Sequence, residues 1–190
     1  MTRILVINGH PDPRSERLIA ALCQAYAEGA SSAGHEIRRL AIGELEFPLI
    51  READAFITGP PPANILGAQR DINWAQHLVI AHPLWLGGAP ALLKGFLEQT
   101  FRYGFTVPNP NSGSMRGLLR GRSARLIVTM GMPAAAYQLI FGAFGVRTTE
   151  RSILRLCGFA PVRHTLLGGV GQGQEKRMIA AVRRLGGRAG

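Results

Sequence analysis

Short apolar runs that each give way to helical spacing recur along this chain, and no other feature restricts its fold so strongly. Ile4-Leu5-Val6-Ile7-Asn8-Gly9 is a β-branched run closed by turn residues, suited to a strand buried on both faces. From Ser15 the period changes: Leu18, Ala21, Leu22, Ala25 and Tyr26 recur at helical spacing, and Gly34 marks the exit. The same alternation predicts strands over residues 36–41, 77–81, 124–129 and 161–167. Helices are predicted over 65–75, from Pro90 through the stripe Leu92, Leu93, Phe96, Leu97 and Phe101, over 134 to about 157, and over 175–185. Lys94 and Glu98 are spaced to pair on the outside of the helix that Pro90 opens. The stretches around Pro48 and Pro60-Pro61-Pro62, and residues 107–122, read as long surface loops.

Strands alternating with helices imply an α/β fold with a parallel, doubly wound sheet and right-handed crossovers. Five strands fit the flavodoxin-like order 2-1-3-4-5, a three-layer sandwich with helices on both faces. A chain of 190 residues is one domain's worth, so residues 1–190 are expected to share one fold. Apolar residues make up 46% of it, enough to offset ordering entropy, and no apolar run reaches membrane-spanning length. A cytoplasmic protein without membrane insertion is expected. The formal charge of +10 invites a nucleic-acid reading, but the 22 Lys and Arg residues are scattered and no aromatic-basic motif accompanies them. Attraction of anionic cofactors is the better use. Cys23 and Cys157 lack metal or redox spacing and read as buried thiols, and the five histidines lack ligand spacing.

In such sheets ligands bind beyond the carboxyl ends of the strands, near the switch in strand order. Three segments stand there. The first is Gly9-His10-Pro11-Asp12-Pro13-Arg14-Ser15-Glu16-Arg17, where a helix amino terminus offers open N–H groups to a phosphate and His10 and Ser15 add hydrogen bonds. Equally, Ser15 alone reads as a helix N-cap. The second is Pro83-Leu84-Trp85-Leu86-Gly87-Gly88, offering backbone amides and the flat apolar surface of Leu84 and Trp85, although Trp85 alone reads as core. The third is Thr129-Met130-Gly131-Met132-Pro133, followed by Tyr137. His82 reads as a buried, hydrogen-bonded histidine, and Gly168-Gly169-Val170-Gly171-Gln172-Gly173 as a C-terminal loop with the wrong spacing for a dinucleotide fingerprint.

His10-Pro11 with Ser15, the block Pro83-Leu84-Trp85-Leu86-Gly87-Gly88-Ala89-Pro90-Ala91-Leu92-Leu93-Lys94-Gly95-Phe96, Gly104-Phe105 and Cys157-Gly158-Phe159 together resemble the NAD(P)H:quinone oxidoreductase family. That group also includes potassium-efflux ancillary subunits and modulators of drug activity. The resemblance implies a flavin, FAD or alternatively FMN, reduced by NAD(P)H and reoxidised by a quinone or similar small acceptor, in a homodimer with the site at the subunit interface. It places His10, Ser15 and Arg17 near the flavin phosphates, Gln69 near the ribityl chain, and Pro83, Leu84, Trp85, Leu86 and Gly87 along the ring. Thr129, Met130, Gly131 and Met132 complete the pocket, and Tyr137 takes the catalytic place. Relatives often carry two bulky aromatics where Leu86 and Gly87 stand, a His where Ala143 stands, and an Asn where Arg17 stands. A non-enzymatic flavin-bound regulatory subunit of a transporter or other protein is the other expectation.

Overall fold

The computed structural model describes residues 1–109, 111, 113, 114 and 116–189. Its centre is a five-stranded sheet ordered β2-β1-β3-β4-β5, formed by β1 (Arg3–Asn8), β2 (Glu36–Ala41), β3 (His77–Pro83), β4 (Ser123–Thr129) and β5 (Val162–Leu167). Every pairing is parallel. The inner strands β1 and β3 are buried on both faces, which is why they read as continuous apolar runs rather than alternating ones. Edge strand β2 instead carries Glu36, Arg38 and Arg39, charges that discourage a further strand from pairing.

Alternation along the strands assigns two cores. Leu5, Ile7, Leu78, Ile80, Leu126 and Val128 face one side, where α3 (Ala63–Trp74) and α4 (Ala91–Thr100) supply Ile65, Ile72, Leu93 and Phe96. Ile4, Val6, Val79 and Ile127 face the other, under α1 (Leu18–Ser32) and α7 (Glu175–Gly186). The stretch expected to be helical from 134 to 157 divides into α5 (Ala134–Ile140), α6 (Phe144–Arg147) and a π-helical run, Thr148–Arg155. The break falls where Gly142 and Ala143 take left-handed backbone conformations, φ 59° and 51°.

The irregular region before α3 contains a 3₁₀ turn, Ile42–Glu44, and the short α2 (Ala53–Ile57). Arg102, 5% exposed, ties this region down. Its Nη1 donates to Ala55 O at 2.6 Å and Gly59 O at 2.7 Å, and its Nε to Gln99 O at 3.0 Å. Burial lowers the guanidinium's pKa, and the carbonyls offset its lost hydration. The loop expected over 107–122 is without α-helix or sheet strand where described; Pro110, Ser112 and Met115 lie outside the described residues. Lys94 and Glu98 do pair, and both cysteines are free and buried. Among the described residues no helix is long and apolar enough to cross a membrane.

Helices α1 and α7 approach until their backbones touch. A Cβ on Gly29 would lie 1.9 Å from Arg183 O, and one on Gly186 2.1 Å from Tyr26 O. Gly29→Ala is therefore expected to cost on the order of 1–3 kcal/mol by forcing the helices apart. At Gly67 on α3 a Cβ would meet only Arg70 Nη2, at 3.7 Å. Gly67→Ala is expected to add about 0.5–1 kcal/mol, so urea unfolding should move the two variants in opposite directions.

Candidate active site

Strands β1 and β3 lie side by side, but the chain leaves them towards opposite layers, to α1 after β1 and to α4 after β3. Their last shared hydrogen bond runs from Gly9 N to Ala81 O at 2.7 Å. Glycine is required here: a Cβ would lie 2.9 Å from Leu93 Cδ2, 3.0 Å from Ala81 O and 3.1 Å from His82 Cβ. Past this point the two loops diverge and a crevice opens between them.

On the β1 side, the His10 amide donates to Asn8 Oδ1 at 3.0 Å, and the Asp12 amide donates to His10 Nδ1 at 2.9 Å. Burial lowers the His10 pKa against the raising effect of Asp12, so the ring is neutral at pH 7. With Nδ1 accepting, its proton sits on Nε2, which is then a donor. Asp12 is gripped from two sides. Arg14 Nη2 reaches its carboxylate at 2.7 Å, and Arg17 reaches it through Nε at 2.6 Å and Nη2 at 2.5 Å. Hydrogen bonding from Arg14, and then from Arg17, holds the Asp12 carboxyl far below the usual carboxylate range.

Helix α1 begins at Leu18, so the N-cap is Arg17 (φ −71°, ψ 138°) and not Ser15, which is exposed in the preceding turn. The turn needs two more residues than the apolar spacing suggests, because residues 10–16 fold back on Asn8 and Asp12 before the helix starts. No side chain caps α1, leaving its first-turn N–H groups and partial positive charge open to an anion.

On the β3 side, Leu84 N donates to Thr129 O at 2.8 Å, and the chain then forms a tight hairpin. Trp85 N donates to Gly88 O and Gly88 N to Trp85 O, both at 3.0 Å, around Leu86 (φ 47°) and Gly87 (φ 81°). Both turn residues are left-handed, which suits Gly87 but costs Leu86 on the order of 1 kcal/mol. The Leu86 side chain is fully exposed, so nothing within the chain compensates. Two contacts hold the tip: Tyr137 Oη donates to Gly87 O at 3.0 Å, and Gly145 packs so close that a Cβ would lie 2.0 Å from that carbonyl.

The Tyr137 hydroxyl, expected in the catalytic place, is thus engaged within the chain, and the residue is buried. Trp85, 49% exposed, is not core; its ring meets His10 edge-on with centroids 5.6 Å apart, joining the two loops. Below them His82 is buried with burial lowering its pKa; Nδ1 donates to Pro83 O at 2.9 Å and Nε2 has no partner among the described residues.

After β4, Met130 N donates to Leu167 O at 2.9 Å, whereas the Gly131 and Met132 amides have no acceptor among the described residues. The glycine-rich segment after β5 packs behind this loop: Gly169 N donates to Met132 O and Val170 N to Met130 O, at 3.2 and 3.1 Å. The loops after β3 and β4 leave a cleft of about 210 Å³, lined by Leu84, Leu86, Gly87, Met130, Gly131 and Met132, with Tyr137 and Phe141 at its side.

Most of the residues singled out in the sequence therefore gather at one end of the sheet, with Pro83 and Thr129 paired beneath them. Gln69 does not join them. Its Nε2 donates to Thr100 O at 2.9 Å, at the far end of α4 from the Trp85 hairpin. Sequence reading missed Asp12 as a partner of Arg17, and Gly145 and Phe141 beside the hairpin. A glycine inside a predicted helix, as at Gly145, is the one signal that points to such a close approach. A second hollow, about 240 Å³, lies along α4 between Phe56, Leu97, Phe101, Tyr103, Ile153 and Cys157, away from the strand ends.

A ribosyldihydronicotinamide dehydrogenase-like protein of Penicillium crustosum is 26% identical over 155 residues, covering 68% of this chain and 57% of its own. A Haemophilus influenzae protein named as an NAD(P)H oxidoreductase is 30% identical over 114 residues, covering 57% of this chain and 54% of its own. The chain spans little more than half the length of these two relatives. Among solved structures, NAD(P)H:quinone oxidoreductase from Methanothermobacter marburgensis matches with a TM-score of 0.81 at 18% identity, over 98% of this chain and 96% of that one, a likeness of fold. The family model described as flavodoxin-like fold matches residues 2–187, and with the observed strand order it establishes that the chain belongs to that family.

Proposed function

We propose that this chain is a flavin-dependent NAD(P)H oxidoreductase of the quinone reductase type, passing reducing equivalents to a quinone or similar small acceptor. One observation carries the reading: the Trp85 hairpin, whose tip lines a cleft of apolar side chains and backbone amides, meets the anion-accepting turn through the contact of His10 with Trp85. A ligand suited to both has a flat apolar ring and a phosphate. The donor set fits a flavin, since the uncapped α1 terminus and a neutral His10 suit phosphate, and the open Gly131 and Met132 amides suit the polar edge of the ring. We take FAD as the cofactor, with FMN as the alternative. The names of the relatives support NAD(P)H as the reductant.

A flavin held there supplies the redox chemistry, and the protein supplies binding and electrostatics. In this reading His10 Nε2–H, the Ser15 hydroxyl, the Arg17 guanidinium and the first-turn amides of α1 bind phosphate. Pro83, Leu84, Trp85 and Met130 hold the ring against the end of the sheet and exclude water. The open Gly131 and Met132 amides would act as hydrogen-bond donors to the ring's polar edge. Tyr137 acts as a positioning residue by fixing the Gly87 carbonyl, while Gln69 has no part. A homodimer completes the proposal, because Leu86, Leu139, Ile140, Phe141 and Phe144 are all more than half exposed beside the cleft and a second copy is the partner that would cover them.

The purified protein is expected to carry or take up a flavin, visible in its absorption spectrum, and to oxidise NAD(P)H steadily with a quinone. A protein that neither contains nor binds flavin rules the reading out. Tyr137→Phe removes one hydrogen bond, worth about 1 kcal/mol, and is expected to slow flavin reduction in stopped-flow more than it weakens flavin binding. Unchanged reduction kinetics would remove Tyr137 from the mechanism. Leu139→Glu combined with Phe144→Glu is expected to convert a dimer to a folded monomer by light scattering; a wild-type monomer defeats the dimer.

A further inference from the structure

Parallel strands all start at one end of their sheet, and that end, opposite the cleft, holds an unbalanced set of arginines. Arg3 starts β1, Arg120 and Arg122 stand in the turn that enters β4, Arg163 is near the start of β5, and Arg184 and Arg188 lie at the end of α7, which runs back from the cleft. Among the described residues none of these guanidiniums is in an ion pair. Arg38 and Arg183 at the same end are neutralised by Asp71 and Glu28, which leaves Glu36, at the start of β2, to oppose the others. The cleft end differs. Its turn sets Arg14 and Arg17 against Asp12 and Glu16, and the chain after β2 carries Glu44, Glu46, Glu52 and Asp54 against Arg51. Much of the charge of +10 therefore lies away from the cleft, and its placement does not serve to attract an anionic cofactor, the use expected from the sequence.

Local structure accounts for some of these arginines. The C-termini of α1, α3 and α7 bring partial negative charge to that end; Arg122 Nη1 meets Ile72 O of α3 at 3.5 Å, and Arg184 lies in the last turn of α7. Arg3 packs over Trp74, its guanidinium carbon 6.0 Å from the ring centroid. Arg163 and Arg188 are exposed, and their guanidiniums have no hydrogen-bond partner among the described residues. Beside the arginines two leucines face solvent. Leu118 is 50% exposed and Leu156 47%, on segments joined by the bond from Leu119 N to Cys157 O at 2.9 Å.

We propose that this end of the sheet is a peripheral docking face for an anionic phospholipid surface. Guanidiniums match phosphate oxygens in pairs, and several of them spread over one face gain from each other's field at a charged bilayer. Leu118 and Leu156 suit the boundary between headgroups and acyl chains. A nucleic acid would satisfy the arginines equally but would leave both leucines in water. Docked by this end, the protein holds its cleft away from the bilayer, open to a reductant and an acceptor arriving through water. The face is independent of the flavin reading, which the opposite end carries.

The test is co-sedimentation of the full chain with vesicles of phosphatidylglycerol and phosphatidylcholine in equal parts, and of phosphatidylcholine alone, at low and high salt. Wild type should sediment with the anionic vesicles only and be released by salt. Arg163→Gln, Arg184→Gln and Arg188→Gln combined should lower partitioning on the order of a hundredfold, about fivefold for each charge removed. Arg51→Gln, Lys176→Gln and Arg177→Gln combined remove the same charge from the cleft end and should bind as wild type does. Leu118→Ser with Leu156→Ser should weaken partitioning several-fold and leave its salt dependence unchanged, with circular dichroism showing every variant folded. Equal loss in the two charge variants overturns the face, as does wild type that ignores anionic vesicles or binds neutral ones as well. A single-stranded oligonucleotide that binds more tightly than the vesicles, with the leucine variant binding vesicles normally, overturns the lipid in favour of a nucleic acid. None of these results alters whether the cleft takes a flavin.

Discussion

The hydrogen bond from Gly9 N to Ala81 O is the last rung of the sheet at the point where the order of strands reverses. The proposed flavin site lies just beyond it. Parallel pairing forces β1 and β3 to end at the same side, and right-handed crossovers send their continuations to opposite layers, so the two loops must part. The rung also fixes how closely they part, because Gly9 leaves no room for a side chain between Leu93 and His82. Turn and hairpin remain near enough for His10 to meet Trp85 across the gap.

Around this crevice the chain spends stability in ways its core does not. Leu86 holds a left-handed conformation without packing in return, and His82 buries an unpartnered nitrogen. The α1 terminus lacks a cap, although Ser15 stands only two residues upstream of the N-cap position. Each is a local fault by the rules that govern ordinary helices and turns, and together they cluster at one end of one sheet. Such clustering is the pattern of a binding site, where open donors and exposed apolar surface are kept for a ligand.

The fold was legible because its signal is redundant. Five strand-like segments alternating with helical spacing leave few arrangements, and β2 and α7 were located nearly to the residue. The site was legible in part, because topology alone brings the ends of β1, β3 and β4 together. Helix boundaries were less legible at that end. Apolar spacing carried α1 back to Ser15, whereas the His10 and Asp12 amides bond to the Asn8 and His10 side chains and the helix starts only at Leu18. Gln69 was assigned by resemblance, and its amide instead joins α3 to the end of α4.

What the sequence determined by itself is the order of elements, the two-faced burial of the inner strands and the presence of polar and glycine-rich turns at three strand ends. Those follow from local periodicity and from topological rules that need no coordinates. Tertiary structure alone decided that Asp12 occupies both arginines, that Tyr137 spends its proton on Gly87 O, and that Gly145 lets a helix rest on the hairpin tip. These contacts join residues through space at distances of a few ångströms, and hydrogen bonds and close packing are too short-ranged for spacing along the chain to encode them.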